Sequence, residues 1–276
     1  MTFNQILVTG ASGFIGRHTI KRLMEMGFEV YTLNHRTTDL LNPVETAREL
    51  ERVNPSHLLH LAWDVSPGYL VSASNERWVQ ASLGLLDQFI EAGGKHAVFA
   101  GSSFDIYATT TQYGKCKSDL LREATKRAQE CGVSFAWGRV FQVYGPGEQQ
   151  GRLIPYVIQS LLNNNPAYCT TGAQVRDFVY VSDVGEAFAR LCQQELSGDF
   201  DVGVGVGIPV KEVVLEIGRQ LDKQELLHFG EIVTGKTDPA YIVSDRPVVS
   251  PFDWDPIVSL PEGIAKCIEY WRQYGK

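Results

Sequence analysis

Short runs of aliphatic and β-branched residues alternate with longer stretches of helical periodicity through the first half of the chain. The runs Gln5–Thr9, Glu29–Leu33, His57–Leu61, Ala97–Gly101 and Ser134–Arg139 read as strands. Between them, Phe14–Met26, Pro43–Arg52, Asn75–Ala92 and Gln112–Cys131 read as helices. Strands separated by helices of this length pair in parallel through right-handed crossovers. Several of the runs are apolar throughout rather than at alternate positions, as in a sheet covered on both faces. The expected fold class is therefore α/β, a doubly wound parallel sheet.

The pattern loosens after Gly145. Pro146-Gly147 signals a turn, Ile154–Leu162 reads as a helix, and Asn163-Asn164-Asn165-Pro166 stops it. A strand is expected at Phe178–Val181 and helices at Asp183–Gln193, Val210–Leu221 and Pro261–Tyr274, with Gly203, Gly205 and Gly207 breaking the stretch between two of them. No repeat or flexible linker intervenes. Residues 1–145 are expected to form the main sheet domain, to which 175–192 return. Residues 146–276 would mainly form a smaller mixed α/β substrate-binding lobe over the carboxyl edge of the sheet.

Composition narrows the classes. No apolar run reaches the ~18–20 residues of a membrane span. The start Met1-Thr2-Phe3-Asn4-Gln5 lacks the features of a signal peptide, so a cytoplasmic protein is expected. The net charge of -7, with both signs mixed along the chain, argues against a nucleic-acid surface. The five cysteines form no C-x-x-C pair and no metal-ligand cluster. They read as free, buried thiols, and no metal is expected.

Candidate chemistry begins directly after the first strand, at Gly10, Ser12, Gly13, Phe14, Ile15 and Gly16. Glycines spaced three apart let the chain turn sharply, approach a pyrophosphate and pack a helix on the sheet. The helix start that follows favours phosphate. An NAD site usually carries an acid at the end of the second strand, where it binds the ribose 2′-hydroxyl. Asn34, His35 and Arg36 stand there instead. An arginine can pair with a 2′-phosphate, so NADP(H) is expected, with NAD(H) as the alternative if Arg36 is only a solvated loop residue.

Tyr113 and Lys117, four apart at the start of a helix, share one face. A nearby ammonium lowers a phenol's pKa from ~10 and makes it a usable proton donor. By itself such a spacing also describes an ordinary surface pair. Ser102 and Ser103 lie ten or so residues upstream, just past the strand Ala97–Gly101 at the sheet's ligand edge; a turn cap is their plainer reading.

These motifs, with His60-Leu61-Ala62, Arg139-Val140-Phe141-Gln142-Val143-Tyr144-Gly145-Pro146, Val175–Val184 and Phe252-Asp253-Trp254-Asp255-Pro256, stand in the order found in the extended short-chain dehydrogenases/reductases. The sequence resembles that family of nucleotide-sugar epimerases, dehydratases and reductases over nearly its whole length. The resemblance implies a Rossmann-type sheet, with Ser103, Tyr113 and Lys117 as catalytic residues. It implies a cofactor lined by the glycine turn, Asp39, Leu40, Leu61, Ala62, Trp63 and Phe141. It also implies a substrate diphosphate gripped by Gln142, Arg152 and Arg176, to which planar guanidinium groups are suited. Arg176 has a structural ion pair near Asp177 as its alternative.

Four positions depart from the family pattern. Phe104 and Asp105 stand where dehydratases carry an acidic pair; phenylalanine cannot protonate a leaving hydroxyl, and Asp105 is one methylene shorter than the usual glutamate. Gln142 and Trp78 replace frequent asparagines. The reading that results is an NADPH-dependent reductase of a nucleotide-diphosphate-linked keto-deoxysugar, at C4. The alternatives are a 4-epimerase, a 4,6-dehydratase and a non-catalytic NADP-binding sensor. A homodimer is expected through the apolar faces of Asn75–Ala92 and Gln112–Cys131 (Trp78, Leu85, Leu86, Phe89; Leu120, Leu121, Ala124) unless these bury against the chain's own sheet.

Overall fold

A computed structural model describes residues 4–34, 36–233, 238–245 and 251–275. The chain forms β1 (Gln5–Thr9), α1 (Gly16–Glu25), β2 (Glu29–Thr32), α2 (Pro43–Val53), β3 (His57–His60), α3 (Ser74–Glu91), β4 (His96–Ser102), α4 (Phe104–Tyr107), α5 (Gln112–Cys131) and β5 (Ser134–Val140). There follow β6 (Gln142–Tyr144), α6 (Leu153–Leu162), β7 (Ala167–Cys169), β8 (Val175–Tyr180), α7 (Val181–Gln194) and β9 (Gly198–Val202). The last elements are β10 (Gly207–Pro209), α8 (Val210–Leu221), β11 (Leu227–Phe229), β12 (Tyr241–Ile242) and α9 (Leu260–Tyr274). No helix among the described residues is long and apolar enough to cross a membrane.

Two compact units result. The first comprises Met1–Val140, Val184–Val202 and Pro247–Trp254; the second comprises Phe141–Asp183, Gly203–Arg246 and Asp255–Lys276. In the first, six strands pair in the order β2-β1-β3-β4-β5-β9, all parallel. This is the doubly wound α/β sheet expected. The winding direction reverses between β1 and β3, so their carboxyl ends open the crevice where such sheets bind ligands. Ile6, Leu7, Val8, Leu58, Leu59, Ala97, Val98 and Phe99 are fully buried in the central strands. That is why these runs are apolar on both faces rather than alternating.

Leu50 and Val53 of α2, Leu86 and Phe89 of α3, and Leu120 and Ala124 of α5 share one core with the sheet. On the other side, Gly138 of β5 faces Phe188 of α7, and Gly185 lets α7 approach His18 of α1. The apolar residues Leu85, Leu86, Phe89, Leu120 and Ala124 are thus consumed by the unit's own core, and their character requires no second subunit. Four of the five cysteines are buried as expected, whereas Cys131 is exposed at the end of α5.

Most element boundaries fall within a residue or two of expectation, and two of the differences have a clear local reason. The Gly13 N–H donates to the Gly10 carbonyl at 2.9 Å, and this turn delays α1 to Gly16 rather than Phe14. The strand expected at Phe178–Val181 begins earlier, at Val175, and gives way to α7 at Val181.

Buried histidines carry a pH dependence. Thr9 Oγ1 accepts from the Ala62 N–H at 3.3 Å and lies 2.7 Å from His60 Nδ1. Ser82 Oγ donates to the Trp78 carbonyl at 2.7 Å and lies 2.8 Å from His60 Nε2. With both hydroxyls so committed, Nε2 carries the proton and Nδ1 accepts. Burial, then the nearby Lys117, pushes His60 down to about 3, and burial pushes His96 down to about 4, each from 6.5. A depressed histidine favours the unprotonated folded state. Its contribution is complete above pH 6.5, the unfolded value, and is lost as pH falls toward the folded one. From His96 alone this is about 3 kcal/mol. The urea midpoint should fall steeply between pH ~6.5 and ~4.5, and replacing His96 with glutamine should flatten that fall.

In the second unit, β8 pairs with β6 and β12 in parallel and with β10 antiparallel, while β7 and β11 form a separate parallel pair. Val157, Leu161, Val213, Ile217, Ile264 and Trp271 from α6, α8 and α9 build its core. The glycine-rich stretch after β9 wraps a buried acid. The Asp177 carboxylate accepts the backbone N–H groups of Val204 at 2.8 Å, Gly205 at 2.9 Å and Ser244 at 3.1 Å. A carboxylate fully out of water needs such donors.

Candidate active site

The turn between β1 and α1 brings backbone close to backbone. Gly10 has φ +69°, and a Cβ there would lie 2.7 Å from the Ala62 nitrogen. A Cβ on Gly16 would collide with the Gly10 and Ala11 carbonyl oxygens. Ser12 and Gly13 are exposed at the crest, and Phe14 and Ile15 are half-buried beside them. The cradle therefore exists only without side chains at Gly10 and Gly16, which fits a pyrophosphate. Gly10→Ala forces a non-glycine residue into left-handed backbone and pushes β3's exit away. It should cost at least ~1–3 kcal/mol and lower dinucleotide affinity tenfold or more by fluorescence titration.

After β2, Asn34 Oδ1 accepts the Arg36 N–H at 3.0 Å, and the Asn34 carbonyl accepts the N–H groups of Thr37 and Thr38 at 2.9 Å. Asn34 thus builds the turn that presents Arg36 to solvent. His35 lies outside the described residues. Asp39 folds the next turn, accepting the Leu41 N–H at 2.9 Å. Leu40 packs partly on the core and lines an open cleft of about 580 Å³ together with Leu41, Pro43 and Leu85.

Leu61, Ala62 and Trp63 leave β3, the first two beside the Gly10 turn; the Leu61 N–H donates to the Thr9 carbonyl at 3.2 Å. Ser103 follows β4, held by its N–H on the Val140 carbonyl at 2.9 Å, and is buried. Thr111 caps α5 by accepting the Gly114 N–H at 3.0 Å, which sets Tyr113 and Lys117 on the first turns. Both are buried, at 8% and 4% exposure. They are not a surface pair. Rings of Tyr69 at 5.0 Å, Trp63 at 6.1 Å and Phe104 at 6.2 Å meet the Tyr113 ring edge-on. The Lys117 ammonium donates to the Ala100 carbonyl at 3.0 Å and lies 5.9 Å from the Tyr113 ring centre. Burial pushes Lys117 down to about 7, with the Asp105 carboxylate pulling the other way.

Asp105 does not face this group as a free acid. It is buried, accepting from Trp137 Nε1 at 2.7 Å and from Arg139 Nε at 2.7 Å, one bond to each oxygen. The rest of the Arg139 fork binds Asp201 and Asp199, both at 2.9 Å. Burial pushes the Asp105 carboxyl up, opposed by Arg139 and Trp137. The sequence gives Asp105 a place beside Ser103 but not these partners, which lie on β5 and β9.

Of the second unit's residues, Phe141 is buried and Gln142 sits in β6 opposite Phe178. Arg152 precedes α6 with its Nε 3.5 Å from Glu148 Oε1. Arg176, on β8, donates to the Val175 carbonyl at 2.8 Å and pairs with Asp238. No group of three or more His, Cys, Asp or Glu residues among those described could hold a metal ion.

Residues 6–203 match the NAD dependent epimerase/dehydratase family, which is most of the chain. The chain belongs to that family. CDP-abequose synthase from Salmonella muenchen is 25% identical to it over 288 residues, covering 96% of this chain and 97% of that protein. The dTDP-4-dehydro-6-deoxyglucose reductase of Escherichia coli is 23% identical, covering 98% of each. Among solved structures, MoeE5 in complex with UDP-glucose and NAD is 27% identical with a TM-score of 0.84, covering 99% of this chain and 100% of that one. The UDP-glucose 4-epimerase of Thermotoga maritima shares the fold at a TM-score of 0.87 and 24% identity. Within this epimerase/dehydratase family member, the glycine turn and the Tyr113/Lys117 pair both lie inside the matched residues.

Proposed function

We propose that this chain is an NADPH-dependent reductase of a nucleotide-diphosphate-linked keto-deoxysugar, acting at C4. The observation that carries the reading is the buried Tyr113/Lys117 pair near the Ser103 turn, with the neighbouring acid Asp105 committed to Trp137 and Arg139. The nicotinamide, when bound, supplies hydride. Ser103 donates a hydrogen bond to the sugar's carbonyl oxygen and polarises it. Tyr113 gives its proton to that oxygen as it becomes an alcohol, and the Lys117 ammonium stabilises the phenolate left behind.

A 4,6-dehydratase needs an acid to protonate the departing hydroxyl. Asp105 already accepts a hydrogen bond at each oxygen, and Phe104 has no proton to give. Similarity along the full chain to CDP-abequose synthase and to a 4-keto sugar reductase supports the same branch. Arg36, in a turn where Asn34 replaces an acid, supports the 2′-phosphate of NADP. The first unit would hold the dinucleotide. In the second, Gln142, Arg152 and Arg176 would take the substrate diphosphate, the two arginines exchanging Glu148 and Asp238 for phosphate oxygens.

The test offers the purified protein NADPH with 4-keto-6-deoxysugars linked to CDP, dTDP, UDP and GDP. NADPH should be consumed one-for-one with a 4-hydroxy product on one nucleotide. Sugar turnover without net loss of NADPH would identify an epimerase and overturn the reading. Arg36→Asp should weaken NADPH binding by about 1.5–3 kcal/mol, tenfold or more, while NADH binding holds or improves.

A further inference from the structure

Lys117 rests on an indole. Its ammonium lies 3.8 Å above the centre of the Trp63 ring, closer than to Trp137 at 5.7 Å or Tyr113 at 5.9 Å. The indole itself is locked from the far side. Trp63 Nε1 donates to Asn75 Oδ1 at 2.9 Å, and the buried Asn75 amide spends its own hydrogens on the Tyr69 carbonyl at 2.6 Å and the Ser72 carbonyl at 2.8 Å. Tyr69, anchored by that amide, presses edge-on against Tyr113. One asparagine therefore fixes two rings that both touch the Tyr113/Lys117 pair.

We propose that Trp63 is a positioning residue that seats the Lys117 ammonium on its π face, and that Asn75 sets the angle of that seat. The inference deepens the reductase reading and rests on it for the role of Lys117. A cation over an indole face is attracted by the ring quadrupole, and the attraction grows when water is excluded. Here it matters because burial drives Lys117 down to about 7, so a small electrostatic change alters how much ammonium is present at neutral pH. The charged or titratable groups near the amine are the Tyr113 phenol, its ring centre 5.9 Å away, Asp105, which favours the ammonium, and His60, whose own proton it disfavours. The Ala100 carbonyl holds one N–H. Trp63 supplies the remaining support without adding a second carboxylate, which would pin the lysine and compete for the phenol.

The experiment reads Lys117 directly. Protein labelled with 13C at lysine Cε is titrated without cofactor or substrate, the Lys117 signal being assigned by its loss in Lys117→Arg. Trp63→Phe keeps a π face and should hold the titration midpoint within about half a pH unit of the unaltered protein. Trp63→Leu keeps bulk and dryness without the quadrupole and should lower the midpoint by about one unit. Asn75→Leu, which frees the indole to tilt, should fall between them. An unmoved midpoint in a folded Trp63→Leu protein, judged by an unchanged circular dichroism spectrum, overturns the proposal. Should Trp63→Leu fail to fold, Asn75→Leu with an unmoved midpoint overturns it equally. In kinetics, the alkaline limb of the kcat profile should move with the midpoint in each variant. Failure of the reductase reading is separately visible: NADPH is then not consumed by the unaltered protein, while the titration still decides the seat of the lysine.

Discussion

Replacing Tyr113 with phenylalanine is expected to lower kcat by ~10²–10⁴-fold, the usual contribution of a positioned proton donor, while NADPH binding stays within a factor of about two to three. The change removes one oxygen and keeps the ring that meets Trp63, Tyr69 and Phe104 edge-on; an unchanged circular dichroism spectrum checks that the fold is kept. Single-turnover oxidation of NADPH against the cognate keto sugar is the measurement, since it isolates chemistry from product release. A loss smaller than tenfold would remove Tyr113 from proton transfer. A protein that only senses NADP predicts another pattern, with ligand affinity unchanged and no turnover to lose.

The largest effect on stability is expected at Arg139. Arg139→Met takes the counter-charge from Asp105, which is 3% exposed, and from Asp201 and Asp199 at its other nitrogens. Leaving a buried carboxylate unpaired costs about 3–5 kcal/mol, on the order of 10 °C in Tm for a chain of this size. Adding Asp105→Asn to Arg139→Met should recover part of that loss, because the amide oxygen still accepts from Trp137 but carries no charge. Thermal melts of the two single variants and the double variant supply the cycle. If the double variant melts no higher than Arg139→Met alone, the buried charge is not what the arginine compensates.

The sequence made the sheet legible where its signals are local. β1, β3 and β4 are apolar on both faces, and α5 has a Thr111 cap at one end and Gly132 in left-handed backbone at the other. The glycine turn was legible for the same reason, since what it forbids is a side chain at a fixed place. Strands of two or three residues, such as β6, β7, β10 and β12, have no period to read; pairing across the second unit creates them. Asp105 could be read only as a shortened dehydratase acid, because its meaning depends on Arg139, 34 residues later, and Arg139's on Asp199 and Asp201, about 60 later still. Arg176 shows the same limit: of its two readings, an ion pair is present, but with Asp238, 62 residues away. Asn75 gives no sign in the sequence of its lock on Trp63, because that lock is made by Tyr69, Ser72 and Trp63 folding round its amide.

The edge strand β9 has a consequence for dissecting this protein. It reaches the sheet only after the chain has passed through 57 residues beyond β5, the last stretch being α7, yet it pairs with most of the outer side of β5, in register from Ala136 to Val140. A fragment ending at Val140 contains the entire glycine turn and the Tyr113/Lys117 pair, and still leaves β5 as a bare hydrogen-bonding rim beside an arginine stripped of two of its carboxylates. Such a rim is a template for pairing with other chains. The sequence-contiguous first half is thus not a separable nucleotide-binding module. On the ribosome, the outer side of β5 stays unpaired until Val202 has emerged.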